Sequence, residues 1–261
     1  METVILTPDK FDIDNVRFSE PKSLSNGGKA IYLNYETEGT KQIIVFQTPK
    51  MMCPYGLSCF DQGEYPKYSL EMSFGGMDDD STLERFYQNI EAIDNKLISE
   101  GMKNSQAWFK KKKISEEVVT ALYAPGIKVS KDKETGEPNN KYPPTFKVKV
   151  PFKDDHFTCN VYDNKKNKIE DNVSDLLGKG CRVQCLIQCV GLWFAGGKYG
   201  CSWKIVQVKV NPSKSITGYS FVDDSDDDDD DNSNKLKSAD ADSEDEVVED
   251  SDLEEEVAEG M

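Results

Sequence analysis

"CRVQCLIQCVGLWFAGGKYGCSWKIVQVKV", Cys181–Val210, decides the fold. A glycine-rich turn at Ala195–Gly200 separates two long runs of β-branched and aromatic residues, which predicts strands over Cys181–Phe194 and Cys201–Val210. Alternate strand residues face opposite sides. In the first run Cys181, Val183, Cys185, Ile187 and Cys189 form a small, apolar face, opposed by Arg182, Gln184 and Gln188. In the second, Val206, Val208 and Val210 are set against Trp203, Ile205, Gln207 and Lys209. "TFKVKVPF", Thr145–Phe152, repeats the pattern, with Phe146, Val148 and Val150 against Lys147 and Lys149. All three strands thus predict an apolar interior and an outer face of Arg, Lys and Gln, with Trp203 facing out.

Working outward, Lys29–Glu36, Gln42–Thr48, Lys67–Phe74 and His156–Asp163 also read as strands. The period changes between them. Ser81-Thr82-Leu83-Glu84 is a capping-box pattern, and Leu83, Phe86, Tyr87, Ile90, Ile93 and Leu97 follow at helical spacing up to Gly101, which is expected to end the helix. A second short helix is expected between Ser115 and Pro125, and one helical turn at Ser174–Gly180. Many short strands around one substantial helix predict a mainly β protein, a small β-barrel with an inserted helix.

Charge divides the chain. From Asp223 to Met261 there are 20 Asp and Glu against 2 Lys, a net of −18, which leaves residues 1–222 at +2 of the total −16. The expected organisation is one folded domain over 1–222 and a disordered acidic C-terminal tail over 223–261, because such a tail lacks the apolar surface to offset chain entropy. No apolar run is long enough to span a membrane, and "METVILTPDKFDID" shows no signal-peptide pattern. Seven cysteines without framework spacing point to a reduced, intracellular compartment.

A face carrying cations and aromatic rings suits single-stranded nucleic acid, because cations neutralise phosphates and a ring stacks on any base. Trp203 is the sharpest signal of this kind, and "WFKKKK" (Trp108, Phe109, Lys110, Lys111, Lys112, Lys113), read as a loop, is the second. Trp193 shares the cysteine parity and is expected in the interior. Cys181, Cys185 and Cys189 lie on a strand, where four-residue steps are about 13 Å apart, too far to converge on one zinc ion. No nucleotide-binding glycine loop or nucleophile motif is present, and His156 is the only histidine. The expectation is a non-enzymatic protein with no cofactor and no metal.

The order of motifs in the C-terminal half resembles a known family. "NKYPPTFKVKV" (Asn140–Val150), "VYDNKKNKI", the Cys181–Val210 hairpin and an acidic tail resemble the replicative single-stranded DNA-binding proteins of short-tailed phages and their relatives in large nucleocytoplasmic DNA viruses. The resemblance implies an oligonucleotide/oligosaccharide-binding (OB) barrel that coats and protects single strands in DNA replication or recombination. It also implies location at the site of viral DNA replication, in host nucleus or cytoplasm. By position, Tyr142, Lys147, Lys149, Lys198 and Trp203 would line or border the groove, and Lys141 and Arg182 are further DNA-binding candidates. The tail would compete with DNA and recruit replication proteins such as a DNA polymerase or helicase, with no membrane partner and a homodimer left open. Ser225, Ser243 and Ser251 each have an acidic residue three positions on and are candidate phosphorylation sites. The alternative reading is an acidic-tailed histone-type chaperone or other protein-interaction module, whose tail, not its barrel, would bind.

Overall fold

A computed structural model describes residues 4–24, 28–63, 65–170 and 173–211. The acidic tail, the expected domain boundary at 222 and Ser225, Ser243 and Ser251 lie outside the described residues.

Thirteen elements carry the argument. In chain order they are β1 (Ile5–Leu6), β2 (Val45–Gln47), β3 (Met51–Met52), β4 (Leu57–Phe60), β5 (Lys67–Ser73), α1 (Ser81–Lys103), α2 (Ser105–Phe109), α3 (Glu116–Leu122), β6 (Thr145–Val150), β7 (Asn160–Tyr162), α4 (Val173–Leu176), β8 (Arg182–Ala195) and β9 (Lys198–Asn211).

The sheet closes on itself. β3 pairs with β5, β5 with β6, β6 with β9, β9 with β8, and β8 returns to β3. β2 and β3 together form the first barrel strand, since both lie antiparallel to β8 and Thr48 carries the ladder across the gap by hydrogen bonds with Cys185. Counting barrel strands along the chain, the circuit runs 1-2-3-5-4-1. The third and fifth (β6 and β9) are parallel, and the other pairs are antiparallel. This is a five-stranded OB-like barrel. β1 and β7 extend the sheet beside β2 and β9, both in parallel.

The interior is built from the alternation read in the sequence. Val183, Cys185, Ile187, Phe146, Val148, Val150, Leu70 and Met72 are all buried. α1 turns Phe86 into this core against Phe46, Phe74 and Phe146. Burying such rings dominates the stabilisation, at roughly 1.5–3 kcal/mol for each large apolar side chain.

Three local expectations are corrected. The cap of α1 is Asp80, whose carboxylate accepts from the backbone N–H of Thr82 and Leu83, so Ser81 is already helical. Gly101 does not end α1, which continues to Lys103. Its role is close approach, because a Cβ there would lie 2.9 Å from Tyr199 Oη and 3.0 Å from Val119 Cγ1. Gln42–Thr48 is not one strand. Thr40–Ile43 pairs with Leu33–Thr37 in a separate three-stranded sheet, and only Val45–Gln47 joins the barrel.

Candidate nucleic-acid interface

Register assembles one outer face from side chains far apart in sequence. Along β5 the inward residues Leu70 and Met72 leave Lys67, Ser69 and Glu71 on the outer side. Across from them on β4 stand Phe60, opposite Lys67, and Ser58, opposite Ser69. On β6, Lys149 is opposite Ser69 and Lys147 opposite Glu71. Lys149 is in turn paired with Lys204 on β9, and Lys204 with Gln188 on β8. A single row therefore runs Ser58, Ser69, Lys149, Lys204, Gln188 across five strands. Among the described residues, the face carries Lys67, Lys147, Lys149 and Lys204, with Lys128 opposite Thr145 at the edge of β6, beside the carboxylate of Glu71, which accepts a hydrogen bond from Thr145 Oγ1 at 3.2 Å.

Exposed rings flank the lysines. Tyr55 (59% exposed), Phe60 and Tyr65 (65%) lie on or beside the segment that joins the first two barrel strands. Tyr142 (60% exposed) lies at the entry to β6, where Lys141 Nζ stands 5.3 Å from its ring centroid. Pro143 anchors this entry against the turn that follows β5, near Gly75. In OB barrels the face of the second and third strands, with the loops joining strands 1–2 and 4–5, is where oligonucleotides bind. Here that face is β5–β6, and the 4–5 loop is the hairpin that carries exposed Lys198.

The two tryptophans expected at the interface are not there. Trp203 is 3% exposed and packs inward against Phe46 and Phe146. The cause is a β-bulge: Leu186 pairs with Gln207 but Ile187 with Ile205, so Val206 is unpaired and the parity of β9 reverses on its N-terminal side. Val208 and Val210 face inward as expected, and so do Trp203 and Ile205. Trp108 is 4% exposed; it sits on α2, not in a loop, among Phe18, Phe109, Phe194 and Tyr199. Phe109 is half-buried against Phe194 and Tyr199, and thus is not a free stacking platform either.

The lysine run has a different setting. α2 ends at Lys110, in the left-handed region at φ 58°, and Lys111, Lys112 and Lys113 are exposed beyond it. Lys29 binds beneath them. Its Nζ donates to the carbonyls of Ala107 and Trp108 and stands 4.3 Å from the Phe194 ring centroid. Burial, and then the charge of Lys110, lower the Lys29 pKa. The run therefore adjoins the β8–β9 hairpin through Phe109 and Phe194. Arg182 lies away from this lysine run, exposed at the start of β8, thirteen residues and about 40 Å of strand from Ala195; its register partner is Met52, which pairs in turn with Ser73 on β5. Lys67, Lys204, Phe60, Tyr55 and Tyr65 were missed by sequence reasoning, since nothing local marks them; the pairing of β4, β5, β6 and β9 puts Lys67, Phe60 and Lys204 on one face, and Tyr55 and Tyr65 are exposed in the chain flanking β4 and β5.

Among the described residues, no group of three or more His, Cys, Asp or Glu side chains is placed to hold a metal ion, and no helix is long and apolar enough to cross a membrane.

Similarity to known proteins is distant. A single-stranded DNA-binding protein from bacteriophage Enc34, solved in complex with ssDNA, is 12% identical. The match covers 76% of this chain and 97% of that one, with a TM-score of 0.40. The gp2.5 single-stranded DNA-binding protein of bacteriophage T7 is 15% identical, over 75% of this chain and 100% of that one, with a TM-score of 0.41. Uncharacterized protein L291 of Acanthamoeba polyphaga mimivirus is 26% identical over 186 residues. Those residues are 67% of this chain but only 27% of that relative, so the chain matches about a quarter of its length. Residues 80–223, more than half of the chain, match the family described as "Family of unknown function (DUF5871)", and the chain belongs to that family.

Proposed function

We propose that the protein binds single-stranded DNA on the β5–β6 face of its barrel, without catalysis, and protects it during replication or recombination. One observation carries this reading. An OB-like strand order places Lys67, Lys147, Lys149 and Lys204 on one outer face, with Phe60, Tyr65 and Tyr142 exposed at its borders. Lysines spaced along paired strands suit a row of phosphates, and rings at the border suit unstacked bases, which a duplex does not offer. Lys141 and Lys198 would extend the same contact, with Lys110, Lys111 and Lys112 as a secondary cationic patch beside the hairpin.

The tail enters as a competitor. With a net charge of −18 tethered to a domain of +2, it is held at high effective concentration near a cationic face. It would occupy that face until DNA displaces it and then be free for replication partners. Phosphate on Ser225, Ser243 or Ser251 would strengthen this self-binding.

The test is fluorescence anisotropy with the full chain and a 1–222 variant on single-stranded and duplex oligonucleotides of matched sequence. The expected result is preference for the single strand, and tighter binding after tail removal. Equal affinity for duplex would refute the stacking component, and weaker binding by the 1–222 variant would refute competition by the tail.

A further inference from the structure

A second feature of the outer surface remains outside the β5–β6 face. β7, β9, β8 and β2 lie side by side, and their registers build two more rows. Gln47 and Gln207 flank Leu186 in one; Gln184, Lys209 and Tyr162 stand together in the next. These side chains, with Lys166 from the loop after β7, line an open cleft of about 370 Å³. Three primary amides, a ring and two cations therefore converge around an aliphatic floor. Gln184 is fixed there by donating its Nε2 to the Thr48 carbonyl at 3.2 Å, which leaves its carbonyl oxygen as an acceptor. The neighbouring acid, Asp163, accepts from the backbone N–H of Lys165 and Asn167 and from Asn167 Nδ2, which fixes its carboxylate in its own turn but leaves its negative charge in place beside the two cations.

We propose that this cleft is a nucleobase subsite, which takes one base of the bound strand with its phosphates against Lys166 and Lys209. Each component matches one part of a nucleotide. Tyr162 and Leu186 offer the base a ring and an apolar surface. An amide side chain donates and accepts at adjacent atoms, as the edge of every base requires. A site for phosphate alone would need no amides, and one for an apolar ligand no lysines. The cleft is also on the strand's route. Gln207 is three residues along β9 from Lys204, about 10 Å, so a strand lying over Lys149 and Lys204 reaches it without leaving the outer surface. The subsite rests on the reading of the barrel as a single-strand binder and adds to it a place where base identity is sensed.

The test is photocrosslinking of the full chain to an oligothymidylate that carries 4-thiothymidine, with the crosslinked residues mapped by mass spectrometry. A crosslink at Tyr162 is expected. Crosslinks confined to Phe60, Tyr65 and Tyr142 would overturn the subsite and leave single-strand binding standing; no binding of the oligonucleotide at all would overturn both. Because Tyr162 is half-buried, two exchanges are compared for affinity. Tyr162→Ala, checked for folding by circular dichroism, is expected to weaken binding about tenfold, as loss of one stacked base does. Gln47→Ala with Gln207→Ala is expected to change the ratio of affinities for oligo-dA and oligo-dT severalfold. An unchanged ratio would overturn the amides' part in sensing the base.

Discussion

Replacing Lys147, Lys149 and Lys204 together by alanine tests the interface where its geometry is most definite. Lys149 and Lys204 are register partners on parallel strands and Lys147 lies two residues along the same side of β6, so all three belong to one patch. Each phosphate neutralised on a single strand contributes about −0.7 to the slope of log K against log salt. Losing three contacts should flatten that slope by about 2. Between about 50 and 200 mM salt, a factor of four, the wild-type protein should therefore lose about twentyfold more affinity than the variant. The measurement is a set of anisotropy titrations on one oligonucleotide at several salt concentrations, with thermal unfolding to show that the variant is folded. Parallel lines would refute the assignment: a uniform loss of affinity with an unchanged slope means that these lysines act on the fold and not on phosphate. Glu71→Gln is the opposing control. It removes the one carboxylate opposite Lys147, and at a separation of about 7 Å in water a unit charge is worth about 0.6 kcal/mol, so binding should tighten about two- to threefold.

Four further outcomes are expected. Tyr142→Ala should cost about 1–3 kcal/mol of single-strand affinity with little change in stability, whereas Trp203→Ala should cost about 3–5 kcal/mol of folding free energy, seen in urea unfolding, because its ring fills the core between Phe46 and Phe146. Gly101→Ala should destabilise by about 1–3 kcal/mol, since the added carbon would meet Tyr199 and Val119; an unchanged melting temperature would show that this contact gives freely. Asp94 is buried on α1, accepting from Tyr123 Oη at 2.6 Å and from the Gly126 N–H at 3.0 Å. Burial raises its pKa to about 6 despite these bonds. The folded pKa exceeds the unfolded one, so its stabilisation is full below about pH 4 and lost as pH rises through 6, and Asp94→Asn should flatten that part of the stability profile measured by urea unfolding.

The barrel was legible because alternation is a property of neighbours. Val183, Cys185 and Ile187, or Phe146, Val148 and Val150, declare the inner side within a few residues, and burial agrees. What stayed hidden depends on residues that neighbours do not determine. Val206 looks like any other valine, but by standing unpaired it turns Trp203 from the outer side to the core. Trp108 next to four lysines has the composition of a nucleic-acid contact, and its ring is nonetheless taken up by Phe18, Phe194 and Tyr199, which come from distant parts of the chain. Lys147 and Lys149 were visible as an outward pair, but their companions Lys67 and Lys204 gain meaning only from register. Composition identified the kinds of residue a single strand requires, and pairing chose which of them stand together.

The closure of the barrel between β2–β3 and β8 has a consequence for synthesis. Residues 45–52 have their partners at 182–188, and the fifth strand ends at Asn211, so the first strand to emerge waits for nearly the whole domain before its ladder is complete. At ~5–20 residues per second the interval is roughly 10–30 s. Non-local pairing of this kind also folds slowly once the chain is complete. During that interval neither the cationic face nor the core exists, and α1, whose contacts within Ser81–Lys103 are local, is the element able to form early and shelter the waiting strand through Phe86 and Phe46. The lysine row across β5, β6 and β9 is thus among the last features of the domain to form, since it needs β9 in place.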